Sequence, residues 1–143
     1  MSQTLVKLSQ WEALLLEGLR ALGWPHEELL RRVAERDLPK DESIYELDYQ
    51  VLADFAAAEP ETFRSAVESG YSIKYNTVRG IHSWISIAFG KKPELILEEG
   101  NEAVVSDLTP SEKERLAEIL SIGWKVTEDA AGVYRIQPAN RAV

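Results

Sequence analysis

NTVRGIHSWISIAFGKKPELILEEGNEAVV, residues 76–105, is the stretch on which the fold turns. Val78, Ile81, Ile85 and Ala88 recur at helical spacing, which predicts a helix from Asn76 to Phe89. Asn76 is placed to cap its start, and Gly90 and Pro93 end it. Past Pro93 the period becomes strand-like: Leu95-Ile96-Leu97 and Ala103-Val104-Val105 flank Glu99-Gly100-Asn101-Glu102, whose Gly-Asn tolerates the positive φ of a tight turn. A helix followed by a hairpin is the expectation.

Upstream, Ser43 and Glu46 form a capping-box pattern ahead of Ile44, Leu47, Val51 and Phe55, predicting a helix there. Pro60 opens a shorter one carrying Phe63, Ala66 and Val67, which Gly70 closes. Helix, helix, short turn, helix, hairpin is the order of a winged helix-turn-helix, in which the third helix enters a groove. Leu8, Trp11, Leu15, Leu19 and Leu22 predict an amphipathic opening helix, and Gly23 and Pro25 separate it from a second through Leu29, Leu30 and Val33. Leu38-Pro39-Lys40-Asp41-Glu42 reads as a hinge.

Downstream, Thr109-Pro110-Ser111-Glu112 combines an N-cap, a first-turn proline and a capping-box glutamate ahead of Leu116, Ile119 and Leu120. Trp124-Lys125-Val126 and Val133-Tyr134-Arg135-Ile136 then form a second hairpin around Asp129-Ala130-Ala131-Gly132. The expected protein is α+β and mostly helical, with three parts. These are an N-terminal helical pair over 1–38, a winged-helix-like unit over 43–106, and a helix plus hairpin over 107–138 packed on the same core, so that the C-terminal portion runs hairpin, helix, hairpin.

Charge singles out the same central stretch. The chain has a net charge of −8, yet no acid lies between Glu68 and Glu94, where Lys74, Arg79, Lys91 and Lys92 occur. Asp37 to Glu68 holds nine acids and Glu94 to Asp129 ten, each flank netting −7 against +4 for the island. With Val78, Ile81, Ile85 and Ala88 inward, Arg79, His82, Ser83 and Ser86 take the other side of the helix, and Lys74 and Tyr75 lie beside its N-terminus. Arginine, histidine and serine can donate to phosphates or base edges. The expected contacts for nucleic acid or another anionic partner are Lys74, Tyr75, Asn76, Arg79, His82, Ser83, Ser86, Lys91 and Lys92. Against DNA stand Glu98, Glu99 and Glu102 at the supposed wing tip and Trp84 on the polar side.

Other chemistry is sparse. His26 and His82 are the only histidines, neither with a serine or metal-ligand arrangement nearby, and there is no cysteine. Gly90-Lys91 lacks the upstream glycine of a phosphate loop, and Glu98 to Glu102 lacks calcium-loop spacing. No catalytic residue, metal site or cofactor is expected. Leu14-Leu15-Leu16 gives the opening helix more apolar width than one stripe needs, so Leu14, Leu16 and the corner residue Trp24 are expected to contact a protein partner, including a second copy in a homodimer. Met1 to Ser9 has no signal-peptide pattern and no apolar run approaches ~18 residues, which predicts a cytoplasmic protein without a membrane span. Two functions follow: a small regulatory module binding an anionic partner, or an acidic protein-protein adaptor or inhibitor whose flanks meet a basic protein.

Overall fold

Ser9 opens the first helix by a capping box, its hydroxyl accepting from Glu12 N–H while the Glu12 carboxylate accepts from Ser9 N–H. The computed structural model describes residues 5–41, 47–121 and 123–139. Among them lie six helices and two small sheets in an α+β arrangement. The chain divides into two compact units, Met1–Ser72 and Ile73–Val143.

Unit 1 contains β1 (Val6–Leu8), α1 (Gln10–Arg20), α2 (His26–Glu35), α3 (Tyr49–Ala58) and α4 (Pro60–Ser69), and β1 pairs with β2 (Tyr71–Ile73) at the unit's end. Within it α3 packs on α1, α2 and α4, and α1 and α4 pack on β1. Every residue from Ala13 to Leu19 is buried, so α1 is covered all round rather than along one stripe. This corrects two expectations. Leu14 and Leu16 lie inside the unit, while Trp11 and Leu22, assigned to the buried stripe, are 42% and 50% exposed. Leu8 is buried too, but in a strand instead of the helix.

All-round burial forces α1 to accommodate Glu17, which is 1% exposed. The Tyr71 hydroxyl donates to its carboxylate at 2.6 Å, and Arg20 Nε lies 4.0 Å away. The Arg20 guanidinium also donates to the carbonyls of Ala66 and Val67 at 3.2 and 2.9 Å. Both carbonyls lie near the C-terminal end of α4; that of Ala66 also accepts from Gly70 N–H at 3.2 Å, so the arginine adds a donor at the helix end while facing a buried carboxylate. The expected Ser43–Glu46 capping box lies outside the described residues; α3 is capped by the Asp48 carboxylate, which accepts from Gln50 N–H at 3.1 Å.

Unit 2 contains α5 (Val78–Phe89), β3 (Glu94–Ile96), β4 (Ala103–Asp107), α6 (Pro110–Ile119), β5 (Trp124–Ala130) and β6 (Val133–Pro138). The strands form an antiparallel sheet in the order β3-β4-β6-β5, so the chain runs hairpin, helix, hairpin after α5. Leu95, Val104, Ile136 and Val126 stand in one row across it; Val104 and Ile136, on the inner strands, are fully buried. β5 is an outer strand, and its pairing slips between Glu128 and Ala130. The capping box at Thr109 and Glu112 forms, with Pro110 in the first turn. Helices α3 and α4 group with unit 1, whereas α5, β3 and β4 group with unit 2.

Candidate nucleic-acid interface

The acid-free island occupies the start of unit 2, and its helix begins one residue later than expected. Thr77 is the N-cap of α5, its hydroxyl accepting from Gly80 N–H at 3.0 Å. Asn76 is used differently: its side-chain oxygen accepts from Ser121 N–H at 2.6 Å, and its own N–H donates to the Ser121 hydroxyl at 3.3 Å. This pair of hydrogen bonds between the link and the residue after the C-cap of α6 spans 45 positions, and no local pattern in the sequence signals it.

The buried face of α5 is Gly80, Ile81, Trp84 and Ile85. Trp84, read as an interruption of the polar side, is instead fully buried, in edge contact with Phe89 at 5.1 Å and under the Arg115 guanidinium at 5.2 Å. Val78 is only half-buried, so the apolar stripe is centred on 81, 84 and 85. The opposite side keeps Arg79 exposed, with Ser83 and Ser86 half-buried. His82 lies at the flank, half-buried, with Nε2 3.1 Å from the Pro93 carbonyl oxygen; the Nε2–H tautomer donates to it and holds the loop after α5.

The four cations fall into two classes. Lys91 Nζ lies 2.7 Å from Glu112 Oε1 and 3.2 Å from Asp107 Oδ2, and it donates to the Asp107 carbonyl at 3.0 Å. The hydrogen bond to Glu112 raises the lysine above its ordinary 10.5 despite opposing burial. Burial pushes the Glu112 carboxyl up, but hydrogen bonds from Lys91 and from Thr109 together outweigh it and hold the group below 4.5. Lys91 therefore fastens the end of β4 to the first turn of α6 and is not available to a ligand. Lys74, Arg79 and Lys92 are exposed and form no ion pair among the described residues. Lys74 and Arg79 belong to the N-terminal end of α5, while Lys92 follows its C-terminal end, a 12-residue helix or about 18 Å away. Tyr75, which lies between the first two in sequence, is 84% exposed.

The residues expected to meet a protein partner sit in unit 1. Leu14 and Leu16 are core residues, and Trp24 is half-buried with the Arg32 guanidinium 4.5 Å over its ring. Unit 1 also contains a cavity of about 360 Å³ that the sequence did not signal, lined by Leu30, Val33, Ala53 and Phe63 among others. Of its charged members, Arg36 pairs with Asp54 at 2.8 Å and Arg64 with Glu68 at 3.3 Å. Among the described residues no group of three or more histidines, cysteines or acids could hold a metal ion, and no helix is long and apolar enough to cross a membrane.

No family model matches the chain, and no curated protein or solved structure is significantly similar to it.

Proposed function

We propose that this protein is a regulatory binding module without catalytic activity, which meets nucleic acid or another anionic partner through unit 2. One observation carries the reading: Lys74 and Arg79 are solvent-exposed and have no counterion among the described residues, at one end of α5, in a stretch of sequence that contains no acid. Charge distribution supports it. Unit 1 holds fourteen acidic and seven basic side chains, unit 2 ten and nine, so nearly all the net charge of −8 resides on unit 1. Phosphate repulsion is correspondingly weak on unit 2. The element order helix, helix, strand, helix, hairpin is what motivates the comparison with a winged helix-turn-helix; because α3 and α4 group with unit 1, the contact is proposed for unit 2 alone, with Arg79 as the exposed donor on α5.

Binding of the full chain to labelled duplex and single-stranded nucleic acid, followed across a salt series from low ionic strength, tests the proposal. Affinity is expected to fall as salt rises, and Arg79→Ala to reduce the magnitude of the log–log slope by about one unit. Lys91→Met leaves that slope unchanged, because Lys91 is already neutralised inside the unit. A chain that binds neither form at low salt would overturn the proposal. The excess of seven acids on unit 1 favours a second reading, an acidic adaptor for a basic protein, and that reading would then take its place.

A further inference from the structure

We infer that the preferred anionic ligand is single-stranded nucleic acid, with one unpaired base stacking on Tyr75 and the adjoining phosphates meeting Lys74 and Arg79; this rests on the function proposed above and narrows it. The inference starts from what α5 can present. A helix that reads a duplex groove needs a row of free polar side chains, and here the row is depleted. His82 is committed to the Pro93 carbonyl, Trp84 is fully buried, and Ser83 and Ser86 are half-buried, which leaves Arg79 as the exposed long donor.

What the surface offers in place of a reading row is an aromatic face. Tyr75 is the most exposed large apolar side chain among the described residues, at 84%, and it makes no hydrogen bond or ring contact there. Its position is not left loose. Strand β2 ends two residues before it, and Asn76 immediately after it is fastened at both its backbone N–H and its side-chain oxygen to Ser121. The backbone that carries the ring is thus already ordered, so covering the ring with a planar ligand costs the freedom of one side chain and not of the link. Its sequence neighbours complete the chemistry, because Lys74 and Arg79 carry free positive charge and the nearest acids in sequence are Glu68 and Glu94.

Positive charge beside an exposed aromatic ring is the pattern that captures single strands: phosphates are neutralised while a base stacks. A duplex cannot use the ring in this way, since its bases are already stacked and paired; taking one out costs unstacking and unpairing energy. Stacking is tolerant of base identity, so the predicted ligand is a class of single strands and not one sequence.

The test is fluorescence anisotropy of the full chain, at low salt, against one labelled mixed-sequence oligonucleotide as RNA, as DNA, and annealed to its complement. Tighter binding of the single strands is expected. Tyr75→Ala should weaken that binding about tenfold or more, Tyr75→Phe should keep it within about twofold, and duplex binding should be indifferent to both. Arg79→Ala should weaken single-strand and duplex binding alike. Tyr75 is surface-exposed, so these substitutions leave the core untouched. Equal affinity for duplex and single strand with no effect of Tyr75→Ala would overturn the single-strand inference while the anion-binding function stood; no binding of any form would overturn both.

Discussion

Gly18 sits where a methyl group has no room. A Cβ built there would lie 2.7 Å from the Tyr49 hydroxyl oxygen and 2.8 Å from Leu47 Cδ1. The glycine costs α1 about 1 kcal/mol of helix propensity relative to alanine, and in exchange the segment entering α3 approaches the helix closely. That close fit buries Tyr49 and, together with the nearby Asp41 carboxylate, pushes its hydroxyl above the ordinary 10.0. Two effects of opposite sign therefore compete in Gly18→Ala: propensity favours it by about 1 kcal/mol, and overpacking opposes it by about 1–3 kcal/mol. A net loss of roughly 1 kcal/mol is expected in urea unfolding. In a Tyr49→Phe background the loss should shrink, since one of the two atoms in the way is gone, and a loss undiminished there would place the strain elsewhere.

Helices were the elements most readable from sequence, because caps and apolar spacing act within four residues of each other. Thr109 and Glu112 are the plainest case, a capping box formed as the pattern predicted. At α5 the element was legible but its phase was not. Both Val78 and Trp84 suit an inward position by hydrophobicity, and only the partners Phe89 and Arg115 decide for Trp84. In α1 the surplus of Leu14-Leu15-Leu16 was visible, but whether a neighbouring chain or the protein's own strands and helices would cover it is a tertiary matter. The same limit hid the fate of Lys91, which the sequence counted with the free cations. Its tie to Asp107 and Glu112 joins elements that are separated along the chain, so Lys91→Met should cost about 1 kcal/mol. Because Glu112 is held below 4.5 in the folded protein, its share of that stabilisation is present above pH 4.5 and is lost as pH falls through the lowered value. Unfolding curves of parent and Lys91→Met should thus differ at neutral pH and converge in acid. A gap that persists at low pH would mean the lysine acts by packing.

At the scale of the molecule, the contrast between an acidic half and a nearly balanced half was half visible. The runs of charge could be counted, but where the division falls, after Ser72, depends on which helices pack together. Within the island, what separates Lys74, Tyr75 and Arg79 from Asn76, His82 and Lys91 is a set of hydrogen bonds made by the latter three to residues 11 to 45 positions away, which no local pattern signals. The excess acid of unit 1 sets the colloidal behaviour of the whole chain. Solubility is expected to be lowest near the isoelectric point of about 4.8, seen as a turbidity maximum in a pH titration at low salt, and a maximum near neutrality would show that charge is not what keeps copies apart. One further safeguard is local. The outer strand β5 offers seven residues without proline, long enough to template another strand, but its ladder slips at Asp129, whose carboxylate is drawn to Arg135 at 2.9 Å, and Lys125 and Glu128 place charge along the rest. An interrupted, charged rim makes a poor seed for fibril growth, so copies can crowd in a cell without adding strand to strand into cross-β polymers.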